Sequence, residues 1–97
     1  MSTVKEKFIS LFPLKGRITQ EIIESSDIGD SDNCIGANTF RKAIGDNISL
    51  FQDTGWGTDI GHMVLIDDTI VDIGTEEDID MMEVVEPRDV TFIIKFI

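Results

Sequence analysis

Cys34 and His62 are the residues of this chain that could act as a nucleophile and its base, and each is the single residue of its type. A thiol beside an imidazole can act as an activated nucleophile. However, any chain with one cysteine and one histidine offers this pair, and no family signature surrounds either residue. The sequence therefore predicts that the protein is not an enzyme. We expect Cys34 to be a small buried residue and His62 to lie on the surface at the end of a strand; catalysis by this pair is the third-ranked hypothesis.

A second candidate site is the loop that contains Asp27, Asp30 and Asp32, which has the carboxylate density of a calcium site. The EF-hand pattern needs glycine at its sixth position and glutamate at its twelfth. Counted from Asp30, these positions hold Ile35 and Arg41, and a count from Asp27 fails in the same way. We therefore predict no metal and no cofactor. A module that binds a cation or a small ligand through this loop remains the alternative function.

The stretch Gly55-Trp56-Gly57, followed by Gly61, is a third candidate. It has neither the lysine of a phosphate-binding loop nor the glycine spacing of a dinucleotide-binding turn. It does place the one tryptophan of the chain between flexible residues. Trp56 can be an interface anchor or can fold back over the core, and the small-ligand alternative could use the Gly55–Gly61 loop.

The most unusual feature is a stretch from Ala43 to Pro87 that contains no lysine and no arginine. Protein surfaces ordinarily intersperse charges of both signs, so this stretch predicts a negatively charged face that binds a cationic partner. The alternative is a solvated surface without a binding role. The stretch carries twelve carboxylates: Asp46, Asp53, Asp59, Asp67, Asp68, Asp72, Glu76, Glu77, Asp78, Asp80, Glu83 and Glu86.

Charge also indicates the class of partner. A net charge of −11 argues against direct binding to DNA, RNA or an anionic membrane, because those contacts need a basic surface. A row of carboxylates can instead occupy the cationic groove of a nuclease or another nucleic-acid-binding protein. Phage-encoded inhibitors and toxin-immunity proteins are analogous in size and charge. The predicted partner-binding residues are Trp56, Asp67, Asp68, Asp72, Glu76, Glu77 and Asp80.

The elements that position these residues form one domain, residues 1–97, because a chain of this length is typical of a single domain. The order of helices followed by strands predicts an α+β fold. We expect an antiparallel sheet of about four strands, with the strand 90–97 in its interior and the N-terminal helices packed on one face. Predicted helices cover residues 4–11, 20–25 and 34–44, with one or two helical turns after Thr75; a strand over 8–12 is the alternative to the first helix. Thr19 is the predicted N-cap of the second helix, and Asp32 or Asn33 is that of the third. Predicted strands cover 48–52, 62–66, 69–73 and 90–97, and the two-residue link Asp67–Asp68 predicts a hairpin of 62–66 with 69–73. Turns and loops are predicted at 13–16, 25–33 and 53–61.

Location and solution behaviour follow from the same composition. The N-terminal residues lack the uninterrupted apolar run of a secretory signal, and no stretch approaches the ~20 apolar residues that span a bilayer. A cytoplasmic location is expected. Because like charges repel one another, we also expect the isolated protein to be stabilised by salt and by mild acidification towards pH 5.

Overall fold

The computed structural model describes residues 3–27, 30, 32–57, 61–77 and 79–96. Helices come first along the chain and most strands come later, as the α+β prediction requires. The helices are α1 (Val4–Ile9), α2 (Gln20–Ser25), α3 (Ile35–Ile44) and two short 3-10 helices, Gly45–Leu50 and Met81–Glu83. The strands are β1 (Leu14–Ile18), β2 (Gln52–Gly57), β3 (Gly61–Ile66), β4 (Thr69–Thr75) and β5 (Arg88–Phe96).

The five strands form one antiparallel sheet with the order β1-β5-β4-β3-β2. This confirms the predicted α+β class and the antiparallel sheet, but the sheet has five strands rather than about four. β5 lies between β1 and β4, so the interior position predicted for the last strand is also confirmed. The strands β1 and β2 form the two edges of the sheet.

The predicted turn at residues 13–16 is wrong, because β1 begins at Leu14 and has Gly16 at its centre. Gly16 allows β1 to lie close to both α3 and β5. A Cβ atom at this position would lie 2.9 Å from Cε2 of Phe92 and 3.2 Å from Cβ of Ala43. Gly16, which resembles a turn residue in the sequence, is therefore needed for the close packing of β1 against α3 and β5.

The predicted strand 48–52 and loop 53–61 are also wrong. After α3 the chain continues as the 3-10 helix Gly45–Leu50, and β2 then covers Gln52–Gly57. β2 pairs with β3, with Asp53 opposite Val64 and Trp56 opposite His62, and the register shifts at Thr54. The remainder of the predicted loop, residues 58–60, lies outside the described residues.

The three predicted N-terminal helices are present, and side chains cap each of them. Thr3 accepts a hydrogen bond from the Glu6 N–H at 3.1 Å, and Thr19 accepts one from the Ile22 N–H at 3.2 Å. Such caps satisfy main-chain donors that have no partner inside a helix. α3 begins at Ile35, one residue later than predicted, and its N-cap is Cys34 rather than Asp32 or Asn33, since the Cys34 sulfur accepts a hydrogen bond from the Ala37 N–H.

The predicted hairpin of β3 and β4 is confirmed, and Asp67 and Asp68 form its two-residue link. Both have positive φ, 48° and 63°, which is the conformation of a type I′ hairpin turn. The helical turns predicted directly after Thr75 are absent from the described residues. Thr75 instead ends β4, and only the short 3-10 helix Met81–Glu83 follows.

The core lies between the sheet and the helices. Alternate residues of β3 are buried, as the two-residue period of a strand requires. Phe8, Phe40 and Phe92 are fully buried, and the Phe40 ring lies 5.4 Å from that of Phe92. The described part of the chain contains no helix long and apolar enough to cross a membrane.

Candidate functional site

The predicted partner-binding carboxylates lie along β4 and in the segments at its two ends. Asp67 and Asp68 occupy the hairpin turn before β4, and Glu76 and Glu77 follow its last residue. At about 3.3 Å per residue, Asp68 and Glu76 are roughly 26 Å apart. The charges therefore form a row rather than a compact patch. We call this row the acidic stripe; it consists of Asp67, Asp68, Asp72, Glu76, Glu77 and Asp80.

Most of the acidic stripe is exposed, and Asp72 is half-buried. Asp72 alternates with the buried Val71 and Ile73, so it lies on the sheet face opposite the helices. The Glu77 side chain accepts a hydrogen bond from the Thr91 N–H at 2.9 Å. Within the described ranges, no lysine, arginine or histidine forms an ion pair with Asp67, Asp68, Asp72, Glu76 or Glu77. Lys95 does cross the same face of β4, since its Cε lies 2.8 Å from where a Cβ of Gly74 would be.

Trp56, the remaining predicted binding residue, is half-buried and lies against the core. Its indole covers Gly36 of α3, where an added Cβ would lie 2.7 Å from the ring atom Cδ2. The ring centroid is 5.9 Å from that of His62 and 6.4 Å from that of Phe92. Trp56 therefore has a packing role, and its role as an interface anchor stays a prediction.

A buried polar cluster joins α3, β2 and β3 beneath this tryptophan. The Oδ1 atom of Asp53 lies 2.5 Å from Nε2 of His62, and its Oδ2 accepts a hydrogen bond from Nε of Arg41 at 2.7 Å. Oδ1 also accepts the Gly55 N–H at 2.9 Å. The exposed fractions of the side chains are 0% for His62, 17% for Asp53 and 28% for Arg41. The prediction that His62 lies on the surface is therefore wrong.

Burial and charge both act on the two titratable members of this cluster. Burial alone would raise the pKa of Asp53, but the hydrogen bond from Arg41, the nearby His62 and the Gly55 N–H together lower it. Burial lowers the pKa of His62, and the Asp53 carboxylate offsets this only in part. His62 is thus neutral at pH 7, donates from Nε2 to Asp53, and keeps an unprotonated Nδ1. That Nδ1 atom is buried and has no hydrogen-bond partner among the described residues.

Among the described residues, no hydrogen bond joins Cys34 to His62. The sulfur of Cys34 accepts a hydrogen bond from the Ala37 N–H at 3.4 Å, while His62 bonds Asp53 and is covered by the rings of Phe40 and Trp56. An imidazole that is fully buried cannot take a proton from a substrate without an opening of the core. The arrangement of the cluster instead links three elements of the fold.

This geometry predicts that Cys34→Ala leaves any biological activity intact. The loss should be confined to a modest decrease in the free energy of unfolding, up to about 1 kcal/mol, because the substitution removes a helix cap and some half-buried volume. Activity and urea unfolding should be measured on the same preparation. Abolished activity in a variant that still folds would support the enzyme hypothesis instead.

The carboxylates of the Asp27–Asp32 loop are engaged by the loop itself. Asp27 accepts a hydrogen bond from the Asn33 side chain at 3.1 Å, and Asp30 accepts one from the Asp32 N–H at 3.0 Å. Residues 28, 29 and 31 lie outside the described residues. Across the described chain, no group of three or more His, Cys, Asp or Glu side chains is arranged to hold a metal ion. The cation-binding alternative gains no support from these contacts.

The sequence reasoning missed the cluster of Arg41, Asp53 and His62, although one signal was available. His62 alternates with Val64 and Ile66, which places all three on the same face of a strand. The contact between Asp53 and Arg41 had no comparable signal, because it depends on where β2 crosses α3. Comparisons with protein-family models, with curated proteins and with solved structures found no match.

Proposed function

We propose that this protein binds a basic protein through the acidic stripe and keeps that partner from binding nucleic acid. The observation that carries the proposal is the row of carboxylates along β4, five of which have no ion-pair partner among the described residues. A row of carboxylates that forms no close ion pair among the described residues attracts a partner of opposite charge, over a distance set by the salt concentration.

The linear arrangement of the row supports a partner that ordinarily binds nucleic acid. The five carboxylates from Asp67 to Glu77 extend over roughly 33 Å, which is one interval of about 8 Å between successive charges. One strand of B-DNA carries one phosphate per about 3.4 Å along its axis. A cationic groove shaped for a phosphate backbone therefore meets an extended line of negative charge in the acidic stripe, with less than half the charge density of one DNA strand.

The proposal is tested by using the purified protein as bait in a lysate of its native host, at low and at high salt. We expect a basic protein to be retained at low salt, released at high salt, and displaced from duplex DNA when the purified bait is added. The displacement assay decides the matter, because retention alone does not show where the partner binds. A captured partner that binds duplex DNA and the bait simultaneously would contradict the proposed inhibition.

Neutralising the hairpin end of the acidic stripe should slow association with that partner. Asp67→Asn with Asp68→Asn removes two charges, and asparagine tolerates the positive φ of both positions. We expect the association rate constant at low salt to fall about tenfold, with little change in the dissociation rate. The effect should shrink as salt rises, because the screening length decreases to about 8 Å at physiological ionic strength. Stopped-flow measurements over a salt series check this.

The matched control is Glu6→Gln with Glu24→Gln, which removes the same charge from exposed positions on α1 and α2. This variant should change the association rate less than twofold. Equal effects of both double variants would mean that net charge, rather than the acidic stripe, governs association. Trp56→Ala is unsuitable as the main probe, because its loss of packing over Gly36 would alter folding and binding together.

A further inference from the structure

β1 is the more regular of the two edge strands of the sheet. Its five residues pair one to one with β5, without a shift in register. β2, at the other edge, is interrupted at Thr54, where its register with β3 shifts, and such irregularities hinder the pairing of a further strand. Within the described residues β1 pairs only with β5, so one side of β1 is open to another strand.

The main-chain groups of Lys15 and Arg17 point towards this open side. On β5, the Thr91 oxygen accepts a hydrogen bond from the Glu76 N–H at 2.8 Å, and the Thr91 N–H donates one to the Glu77 side chain at 2.9 Å. Both groups of Thr91 are therefore directed to the β4 side, away from its β1 neighbour Lys15. Because hydrogen-bonded and non-hydrogen-bonded pairs alternate along an antiparallel ladder, the N–H and C=O groups of Lys15 and Arg17 are left at the open edge.

The side chains of Lys15 and Arg17 leave β1 on the sheet face opposite α3. A Cβ atom at Gly16, between them, would lie 3.2 Å from Cβ of Ala43 in α3, and successive side chains of a strand point to opposite faces. Both cationic residues are exposed. Two positive charges therefore border the open edge on the outer face of the sheet, beside the main-chain groups that an added strand would bind.

Arg17 keeps donors for a second carboxylate although it pairs with Asp89. The two side chains are 57% and 82% exposed, with Nη1 and Oδ1 2.8 Å apart; an ion pair this exposed is weak, and it occupies one of the five N–H groups of the guanidinium. Asp89 lies opposite Arg17 on β5, so β1 would separate it from an added strand by about 10 Å, whereas Arg17 would lie about 5 Å from that strand. A carboxylate on the added strand is therefore attracted by Arg17 more than it is repelled by Asp89.

On the face that carries α3, the open edge borders a cleft of about 370 Å³. No residue of β5 lines it, so the cleft opens beside β1 rather than beneath the sheet. Gly16 and Ala43 are adjacent there and contribute no polar side-chain group, so this side of the edge suits an apolar side chain. The residues that line the cleft are Lys15, Gly16, Arg17, Thr19, Thr39, Lys42 and Ala43.

From the outward main-chain groups, the two cations on the outer face and the cleft on the other face, we infer that β1 binds an extended peptide as a sixth, antiparallel strand. The peptide has the pattern acidic–apolar–acidic. Its acidic residues lie opposite Lys15 and Arg17 and exchange main-chain hydrogen bonds with them, and its central residue lies opposite Gly16 and enters the cleft. In recognition of this kind, main-chain bonds give affinity and alternate side chains give specificity.

The same two cations disfavour a second copy of β1 as the occupant. An antiparallel pair of β1 strands centred on Gly16 would place Lys15 of each copy opposite Arg17 of the other. Like charges directly opposite each other are destabilising, and basic residues on edge strands ordinarily hinder such self-association. An acidic peptide replaces this repulsion by attraction. The surface includes no residue of the acidic stripe, so the failure of either proposal leaves the other standing.

The test is a titration of the full-length, ¹⁵N-labelled protein with the five-residue peptide TEVET, blocked at both ends. We expect saturable shifts of the amide signals of Lys15, Gly16 and Arg17. Because the N–H groups of Lys15 and Arg17 gain acceptors, their hydrogen exchange should slow about tenfold when nine-tenths of the protein is bound. The peptide TKVKT should bind at least tenfold more weakly. Shifts that do not saturate, or that saturate without slower exchange at both sites, would overturn the inference.

Two variants with equal charge changes separate the edge from general electrostatics. Lys15→Gln with Arg17→Gln should weaken TEVET binding about tenfold at low salt, because it removes both cations that face the acidic residues. Lys5→Gln with Lys7→Gln removes the same charge from α1 and should change the affinity less than twofold. Equal losses in both variants would show that net charge governs the attraction and would overturn the site.

A comparison of Lys15→Pro with Lys15→Ala isolates the main-chain contribution. Both substitutions remove the cation, but proline also removes the outward N–H, at a position where an edge strand tolerates proline. TEVET should bind Lys15→Pro about threefold to tenfold more weakly than Lys15→Ala, which corresponds to the loss of one hydrogen bond. Equal affinities in the two folded variants would overturn strand addition. If the melting curve shows that Lys15→Pro does not fold, the exchange measurement on the wild type decides the same point.

Discussion

Asp53→Ala is expected to lower the free energy of unfolding by about 3 kcal/mol, because it removes one partner from a buried charged cluster. Arg41 would lose its bond at 2.7 Å and His62 its bond at 2.5 Å. The Gly55 N–H would lose its acceptor as well. A domain of this size has a total stability of roughly 5–15 kcal/mol, so this single substitution would remove a large fraction of it. Urea unfolding followed by tryptophan fluorescence is the direct measurement.

A second carboxylate in contact with the guanidinium of Arg41 offers a matched control for Asp53→Ala. Arg41 also contacts Asp32, whose Oδ1 lies 3.7 Å from Nη2, and it donates a hydrogen bond to the main-chain oxygen of Asp32. The Asp32 side chain is 79% exposed, so Asp32→Ala should cost less than about 0.5 kcal/mol. Equal decreases in the free energy of unfolding for both substitutions would mean that burial does not determine how much the cluster stabilises the protein.

The protein should lose stability as the pH falls from about 6.5 towards 5, by at most about 1.4 kcal/mol per pH unit. Burial lowers the pKa of His62 in the folded protein, more strongly than Asp53 raises it. Above pH 6.5 the imidazole is neutral in both states and has no effect. Below it the unfolded chain takes up a proton that the folded protein does not bind, so the unfolded state is favoured. The lowered pKa of Asp53 gives the same sign at pH values below about 3.8.

This expected loss of stability is opposite in sign to the stabilisation by mild acidification that the repulsion between carboxylates predicts. Carboxylates ordinarily titrate near pH 4, whereas histidine titrates near 6.5. Between pH 6.5 and about 5.5 the buried imidazole therefore decides the sign. His62→Gln retains an N–H donor for Asp53 without a titrating group, and its stability should be flat over this interval. An unchanged slope in that variant would assign the pH dependence to other groups.

The parts of the fold that were predicted correctly depend on local patterns. Thr19 caps α2, the hydrophobic spacing of 34–44 marks α3, and two aspartates between short apolar runs mark the hairpin. Each of these signals lies within a few residues of the element that it specifies.

The errors arise where a distant contact determines the local structure. β1 has a glycine at its centre, which resembles a turn until Phe92 and Ala43 are seen to occupy the space of its side chain. β2 contains two glycines and an aspartate, residues that disfavour strands, and its conformation depends on pairing with β3. Tertiary contacts override local preference at both edges of the sheet.

The candidate sites also divide into those that local sequence indicates and those that only tertiary contacts form. The carboxylates of the acidic stripe could be named from the sequence because charge is visible there, and their role in binding stays a prediction. The Arg41–Asp53–His62 cluster was not predicted, because it joins side chains from three elements, α3, β2 and β3. Its members resemble ordinary surface residues until the sheet is assembled.

The position of β5 between β1 and β4 has a consequence for synthesis on the ribosome. Among the described residues, β1 pairs only with β5, which lies about 70 residues later in the chain, and pairings this remote form slowly. Until β5 has emerged from the exit tunnel, β1 has no neighbouring strand, and the sheet beneath α3 is incomplete. The contact between Gly16 and Phe92 therefore forms at the end of assembly, whereas the β3–β4 hairpin that carries Asp67 and Asp68 can form much earlier.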